Sequence, residues 1–180
     1  FLKGYNDPRL KSYFNPAQDG RDKDGNINRE VAGVKQLSSI EDEYKGVRQG
    51  TGVADNRYST HSQTTVTTAS KIIVMSAAEV WFLRAEAALR YNTGDDVENC
   101  YKQGVTVSFA QWDANGVSDY LESDDRPAAY VDVFDAKFNA DAPSTITPKW
   151  DNTADKEEKL ERIITQKWLA NFPMGLEAWN

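Results

Sequence analysis

The pattern of hydrophobic and polar positions divides the chain near residue 70. Residues 1–70 show no sustained apolar periodicity and are rich in Gly, Asn, Asp, Ser and Thr. This composition predicts long loops with one or two short strands. Loops of such length inside a compact domain are usually functional or disordered. We therefore expect a binding face in this part of the chain.

From residue 71 onward the apolar positions recur at helical spacing. Ser76 is followed three residues later by Glu79, which predicts a capping box at the start of a helix. Along that helix one apolar stripe comprises Val80, Leu83, Ala87 and Tyr91. The helix is predicted to end near Thr93, with Gly94 in the left-handed conformation that follows many helices.

A second helix is predicted to follow at once. Asp95 and Glu98 have the spacing of another capping box. The positions that repeat at three and four residues are Val97, Cys100, Tyr101, Gly104, Val105, Ser108 and Trp112. Two capped helices joined by a tight turn form an αα-hairpin, the unit of tetratricopeptide-like solenoids. The small residues Ala85, Ala88 and Gly104 would let the two helices approach closely.

A last helix is predicted to start near Asp155, where Glu158 completes a third capping box, and to end at Pro173. The helix is predicted to run through Leu160, Ile163, Ile164, Lys167 and Trp168. Residues 113–148 between the helices contain three prolines and predict loops and short helices. The expected fold is mainly α, with tetratricopeptide-like helical hairpins and long loops. At 180 residues we expect one domain, loop-rich over 1–70 and helical over 71–180.

Composition excludes several classes of function. The formal net charge is -7 and no cluster of Lys and Arg interrupts the acidic background, which argues against nucleic acid as a partner. The longest apolar runs are far too short to span a bilayer. The single cysteine, Cys100, cannot form an intrachain disulfide, and we expect it to act as a small packing residue.

The sequence contains few side chains in an arrangement typical of a catalytic site. His61 is the only histidine, and it lies in a Ser/Thr-rich stretch without an obvious carboxylate to orient it. We expect it to be solvated. A glycosidase needs two carboxylates across the sugar bond, but acidic residues are too numerous here for their number to identify a pair. We therefore predict a protein that is not an enzyme.

The Asp-rich segment around Gly25 resembles a calcium loop only in part. Asp22, Asp24 and Asn26 supply oxygen ligands, but the first and last ligand positions of an EF-hand loop fall on Gly20 and Val31. An Asp-Gly turn in a hydrated loop is the favoured interpretation. A calcium site of another kind, built from Asp22, Asp24 and Asn26 with Asp19, is the alternative; otherwise no cofactor is expected.

Aromatic residues in the loops are the best candidates for ligand binding. Flat rings can pack on the apolar faces of sugars while polar side chains bind the hydroxyl groups. The predicted ligand-binding residues are Tyr13, Tyr44, Arg48, Arg57 and Tyr58. Further candidates are Tyr5, Phe14, Asn56 and Trp112. For each of them the alternative is packing beneath a long loop. Three tryptophans next to helical faces are expected in the core: Trp81, Trp168 and Trp179.

Four ordered motifs resemble those of SusD/RagB-like proteins. Residues 7–10 (DPRL) match the family's D-P-R, and residues 44–47 (YKGV) resemble its Y-x-G-V loop. Residues 78–87 (AEVWFLRAEA) and 163–179 (IITQKWLANFPMGLEAW) resemble its two most specific helical motifs. The resemblance is to the C-terminal portion of the SusD-like subgroup. We accordingly expect the chain to be a piece of a larger protein.

This resemblance implies a cell-surface lipoprotein of the outer membrane that is built around four helical hairpins. Such a protein captures a nutrient, usually a glycan, for a SusC-like TonB-dependent transporter. We expect it to meet the membrane only through an N-terminal lipid anchor that lies outside this chain. An oligopeptide-binding RagB-like member and a structural helical adaptor without a small ligand are the alternatives. No sugar-binding residue of the family is carried over, because those positions vary among its members.

Overall fold

A computed structural model describes residues 1–17, 28–31, 34–37, 44–48, 50, 61–132 and 134–179; for 28–31, 34–37 and 179 only the backbone is described. The chain groups into two compact units, one formed by residues 1–12 with 68 onward and the other by residues 13–67. The prediction of one domain, divided near residue 70, stays a prediction.

The larger unit is helical, as predicted. A short helix, α1 (Leu10–Tyr13), spans the boundary in the sequence between residue 12 of the larger unit and residue 13 of the smaller one. The further helices are α2 (Ala77–Tyr91), α3 (Val97–Gln111), α4 (Val117–Leu121), a 3-10 turn (Ala136–Phe138), α5 (Lys156–Ala170) and α6 (Gly175–Trp179). In the described part of the smaller unit the strands are β1 (Asn28–Val31) and β2 (Val34–Leu37), which pair antiparallel with Asn28 opposite Leu37.

The start of α2 confirms half of the predicted capping box. Ser76 Oγ accepts a hydrogen bond from the Glu79 amide at 3.0 Å. The Glu79 carboxylate, which a full box would direct to the Ser76 amide, instead accepts from Asn171 Nδ2 at 3.3 Å. The helix ends at Tyr91, two residues before the predicted end, and Asn92 takes the left-handed conformation at φ 53°. Gly94 also has a positive φ, as expected.

The predicted cap of α3 is wrong by one residue. Asp96, rather than Asp95, accepts from the amide of Asn99 at 2.8 Å. Asp95 is held by Arg84 of α2, whose Nη2 lies 2.6 Å from its carboxylate. This ion pair connects α2 to the turn of the hairpin and draws the Asp95 side chain away from the helix end. At α5 the predicted cap is confirmed, since Asp155 accepts from the Glu158 amide at 2.9 Å.

The core of this unit lies where α2, α3 and α5 pack together with the segments that precede α5. Its buried members are Tyr5, Ala78, Phe82, Ala85, Cys100, Tyr101, Val105, Phe109, Tyr120, Trp150, Ile163, Leu169 and Ala170. Five of the predicted positions of α3 are confirmed as its buried face, namely Cys100, Tyr101, Gly104, Val105 and Ser108, whereas Val97 and Trp112 are only partly buried. The ring of Phe82 reaches α3 and lies 6.2 Å from the ring of Tyr101.

The prediction that three tryptophans lie in the core is wrong for Trp168, which is 48 % exposed on α5. Its ring contacts that of Phe1 at 5.6 Å. Trp81 is partly buried, and the Arg84 guanidinium lies 4.4 Å from the centre of its ring. The side chain of Trp179 lies outside the described residues. The spacing of α5 alone could not show which of its two apolar sides is covered.

The first residues of the chain pack closely against the segment that follows α4. A Cβ atom added at Gly4 would lie 2.2 Å from the amide nitrogen of Ala128. Asn6 Nδ2 donates to Asp125 at 2.9 Å, and the Tyr5 hydroxyl donates to the carbonyl of Ile146 at 2.8 Å. Only glycine fits at position 4 in this arrangement. Residues 1–9 are thereby held inside the helical unit.

The contact between Gly104 and Phe82 predicts the effect of adding one methyl group. A Cβ atom at position 104 would lie 2.8 Å from ring atoms of Phe82. Overpacking of this kind destabilises by about 1–3 kcal/mol, whereas alanine gains about 1 kcal/mol over glycine in helix propensity. We expect Gly104→Ala to lower the free energy of unfolding by about 1 kcal/mol, within a range of about 0–2 kcal/mol, measured by urea denaturation.

The Phe82→Leu background supplies the control. A leucine leaves room for the new methyl group, so Gly104→Ala should be nearly neutral or stabilising there. Equal losses in both backgrounds would show that the Phe82 ring is not the cause.

Candidate functional site

Arg9 is fully buried in the helical unit and forms an ion pair with Asp7, two positions before it. Its Nε and Nη2 atoms donate to Asp7 Oδ1 and Oδ2 at 3.0 Å and 2.6 Å, and both side chains are shielded from solvent. The amide of Arg9 donates to the same carboxylate at 2.9 Å. Paired, charge-assisted hydrogen bonds of this kind fix both distance and orientation.

The remaining donors of Arg9 reach three other segments. Nη1 donates to Ser108 Oγ of α3 at 2.9 Å, and Nη2 donates to Gln166 Oε1 of α5 at 3.0 Å. The hydroxyl of Tyr120 on α4 accepts from Gln166 Nε2 at 2.8 Å and from Arg9 Nη2 at 3.3 Å. The guanidinium also lies 4.8 Å from the ring centre of Phe109.

This Arg9 network, consisting of Asp7, Arg9, Ser108, Tyr120 and Gln166, has a structural role. Its charge is enclosed and its donors are directed to protein oxygens, so it offers no surface to a ligand. It joins residues 163–179 to the DPRL segment, more than 150 positions earlier in the chain. Sequence analysis identified both motifs but not their contact. The one sign of this contact in the sequence is that the polar Gln166 lies on the same side of the helix as the apolar Ile163 and Ala170.

The Arg9 network predicts an asymmetry between removing one partner and removing both. Arg9→Ala leaves the Asp7 carboxylate buried without its countercharge, which should lower the free energy of unfolding by about 3–5 kcal/mol. The double variant Asp7→Asn, Arg9→Met should be less destabilised than Arg9→Ala alone. Both are measured by urea denaturation.

Arg90→Ala is the matched control, because Arg90 pairs with Glu86 on the exposed side of α2 at 2.7 Å. An exposed pair four residues apart contributes about 0.3–0.5 kcal/mol. If Arg9→Ala were as mild as Arg90→Ala, the network would not constrain the fold.

Two tyrosines of the helical unit are enclosed together with their hydroxyl groups. The Tyr101 hydroxyl donates to the carbonyl of Pro148 at 2.5 Å, whereas that of Tyr120 belongs to the Arg9 network. Burial raises the pKa of Tyr101 well above the ordinary value for a phenol, and it raises the pKa of Tyr120 likewise. Both phenols therefore stay neutral while the unit is folded.

This shift predicts a loss of stability at alkaline pH. Below about pH 10 both the folded and the unfolded chain keep these protons; above it only the folded chain does, so the free energy of unfolding falls as pH rises. Each such tyrosine contributes a slope of about 1.4 kcal/mol per pH unit. Urea denaturation at a series of pH values above 10 should show that Tyr101→Phe reduces the slope by about this amount. An unchanged slope would mean that Tyr101 ionises in the folded protein.

The smaller unit carries most of the residues predicted to bind a ligand. Its segment 62–65 pairs with two others: the Thr65 amide donates to the Tyr13 carbonyl at 3.0 Å, and the Ser62 amide donates to the Lys45 carbonyl at 3.0 Å. The Lys45 amide in turn donates to Ser62 Oγ at 3.0 Å. The segments that carry Tyr13 and Tyr44 are thus both joined to 62–65.

The side chains of these predicted residues are less accessible than expected. Tyr13 is 1 % exposed and Tyr44 is 7 % exposed, which the packing alternative explains. Arg48 is partly buried, next to the exposed Gly46 and Val47. Arg57, Tyr58 and Asn56 lie outside the described residues, as do Asp19, Asp22, Asp24 and Asn26. A role in ligand or calcium binding stays a prediction for all of them.

The other candidate aromatic residues pack against neighbouring side chains, and they differ in how deeply they are buried. Tyr5 is buried, and Phe14 is partly buried with its ring 6.4 Å from that of Tyr13. Trp112 is also partly buried, and its ring lies 5.7 Å from that of Phe172.

Two chemically reactive side chains, those of His61 and Cys100, are buried in the part of the chain that the structure describes. The expectation that His61 is solvated is wrong, because it is only 3 % exposed. Cys100 is buried, and burial raises the pKa of its thiol, which fits the expected packing role. Over the same residues no group of three or more His, Cys, Asp or Glu side chains is placed to hold a metal ion.

In the helical unit, backbone hydrogen bonds between Tyr130 and Ala140 join the two ends of a loop, which we call the 130–140 loop. The buried Asp132 carboxylate accepts from the amides of Phe134 and Asp135 at 2.9 Å and 3.1 Å. The Phe134 side chain remains 46 % exposed. Sequence analysis predicted a loop here but not these hydrogen bonds within it.

None of the described helices is long and apolar enough to cross a membrane.

Comparison with solved structures gives closely similar folds. A SusD homologue from Bacteroides thetaiotaomicron VPI-5482 has a TM-score of 0.80 at 35 % identity, over 99 % of this chain and 35 % of its own. A SusD homologue from Bacteroides uniformis ATCC 8492 has a TM-score of 0.79 at 38 % identity, over 99 % of this chain and 34 % of its own. A chitin-binding SusD homologue from Flavobacterium johnsoniae has a TM-score of 0.80 at 36 % identity, with the same coverage as the second.

The chain therefore spans about a third of the length of these solved relatives. No match was found among curated protein sequences. The model of the SusD-like family, described as "Susd and RagB outer membrane lipoprotein", matches residues 1–180. With the match extending over all its residues and the fold shared with solved homologues, the chain belongs to the SusD-like family.

Proposed function

We propose that the chain is part of a cell-surface lipoprotein of the outer membrane that captures glycans for a SusC-like TonB-dependent transporter. The family match over residues 1–180 carries this proposal. The likeness to a chitin-binding SusD homologue, with a TM-score of 0.80 at 36 % identity, favours glycan over peptide as the ligand class. Chitin is the ligand of that relative; for this chain the proposal names only the class.

The helical unit has the properties of a rigid support for such a function. The Arg9 network fixes segments from α3, α4 and α5 to the start of the chain by hydrogen bonds of 2.9–3.3 Å. A binding protein that is already ordered loses little conformational entropy when its ligand arrives. The poor catalytic inventory of the described residues fits capture without turnover.

We assign ligand contact to the smaller unit, around the 44–48 segment and the residues predicted from sequence. Arg48 and Arg57 would supply donors for sugar hydroxyl groups, and Tyr58 a flat ring for the apolar face of a sugar. The exposed Gly46 and Val47 place backbone of this segment at the surface. Tyr13 and Tyr44, being buried, would support the loops from beneath. Calcium at Asp22, Asp24 and Asn26 would order the neighbouring loop.

The test is calorimetric titration of the complete encoded polypeptide with a panel of glycans, including chitin oligosaccharides, and with oligopeptides. We expect saturable binding of one glycan class without product release. Binding heat with peptides alone would contradict the glycan proposal and indicate a peptide ligand. No binding heat with any member of the panel would favour a structural adaptor. Loss of binding in a chelator would support the calcium site.

Substitutions then locate the site. Tyr58→Ala should weaken binding about tenfold or more, since a stacked ring contributes on the order of 1 kcal/mol beyond its buried area. Phe134→Ala, which removes an exposed aromatic ring from the 130–140 loop, is the matched control and should leave the affinity unchanged. The reverse result would place the ligand at the 130–140 loop.

A further inference from the structure

Asn115 and Gly116 form the only Asn-Gly pair in the sequence, and they lie in the connection between α3 and α4. Both residues are exposed, and Gly116 has a positive φ of 83°. Such a pair is typical of a tight turn, because glycine takes a positive φ without strain. It is also the pair in which an asparagine side chain is least hindered from reacting with the next main-chain nitrogen, since glycine has no Cβ atom beside that nitrogen.

The connection is held at both ends but not at this pair. The amide of Ala114 donates to the Phe109 carbonyl at 2.9 Å, and the amide of Tyr120 donates to the Gly116 carbonyl at 3.0 Å. Between these two bonds, neither the Gly116 amide nor the Asn115 side chain has a hydrogen-bond partner among the residues that the structure describes. Both groups that would react are therefore available.

The reaction between them needs only water. The amide nitrogen of Gly116 gives up its proton and attacks Cγ of Asn115, so a carbon–nitrogen bond forms and closes a succinimide ring. The bond from Cγ to Nδ2 breaks, and Nδ2 takes up a proton and leaves as ammonia. Water then opens the ring at either of its carbonyl groups. One opening gives aspartate, and the other gives isoaspartate, in which the main chain continues through the former side-chain carbon.

We propose that Asn115 is a site of spontaneous deamidation, at which the Gly116 amide converts it to aspartate and isoaspartate. The change adds a negative charge to a stretch that already exposes Asp113 and Asp119. The isoaspartate product also adds one carbon atom to the main chain. The reaction involves no ligand, so it stands or falls independently of the proposed function.

Isoaspartate at position 115 loosens the attachment of α4 to the helical unit. The connection is closed by the hydrogen bonds of Ala114 and Tyr120, and an extra main-chain atom between them is accommodated by displacing one of the two. The hydroxyl of Tyr120 belongs to the Arg9 network. A buried guanidinium whose partners move away is less well satisfied, so the modified protein should unfold at a lower urea concentration.

Peptide mapping of the complete encoded polypeptide tests the proposal. The folded protein is incubated in mildly alkaline buffer and then digested with trypsin. Peptide 103–137 contains Asn115 as its only asparagine, and peptide 138–149 contains only Asn139. Asn139 is the matched control, because it is also exposed, but it is followed by alanine and its Oδ1 accepts from the Asp132 amide at 2.9 Å.

We expect peptide 103–137 to gain the mass of one deamidation at least about tenfold faster than peptide 138–149, because ring closure at glycine has the lower barrier. Part of the product should be a substrate for a methyltransferase that is specific for isoaspartate. Equal rates in the two peptides would overturn the proposal. So would an unmodified Asn115 in the folded protein after a period in which the protein in urea is converted.

Asn115→Gln is the control for the effect on stability. A glutamine would have to close a larger ring, so it should stay unmodified over the same incubation. The incubated protein with Asn115 should show a lower urea midpoint than fresh protein, whereas the midpoint of the variant should not move. An unchanged midpoint in a sample rich in isoaspartate would contradict the loosening of α4.

Discussion

The paired hydrogen bonds between Arg9 and Asp7 constrain the whole helical unit. A buried ion pair loses several kcal/mol of hydration per ion, and this loss is offset only when the remaining donors and acceptors are also satisfied. For Arg9 those partners are Ser108 of α3, Gln166 of α5 and the Tyr120 hydroxyl of α4. The charge can therefore be buried only when all three helices are in place.

The orientation of α5 follows from this constraint. Once Gln166 points at Arg9, the helical period places Ile163, Leu169 and Ala170 on the covered side and leaves Ile164 and Trp168 outward. Because Gln166 lies on the covered side, Trp168, two residues later, lies on the opposite side of the helix. Hydrophobicity alone would favour turning the tryptophan inward. The hydrogen bonds of the enclosed guanidinium outweigh that preference, because an unpaired buried charge is more costly than an exposed ring.

Periodicity and capping residues predicted the helices well, because both signals are local. Ser76 and Asp155 cap α2 and α5 as expected, whereas the cap of α3 shifts to Asp96 because Arg84, more distant in the chain, engages Asp95. Which apolar side of α2 is covered could not be predicted, since that depends on neighbouring helices. The candidate site was the least predictable part. Burial of Tyr13, Tyr44 and His61 depends on how loops fold over them, and a loop has no period that distinguishes a ring packed beneath it from one presented to solvent.

Two exposed parts of the described chain, the 44–48 segment and one side of α2, differ in their chemistry. A sugar needs donors and acceptors for its hydroxyl groups as well as a ring for its apolar face. The 44–48 segment offers exposed backbone at Gly46 and Val47, whereas the exposed Val80 and Leu83 of α2 lie beside guanidinium groups that are already paired. A glycan on this side of α2 would lose hydration without regaining hydrogen bonds. The proposed glycan contact therefore suits the 44–48 segment better than it suits α2.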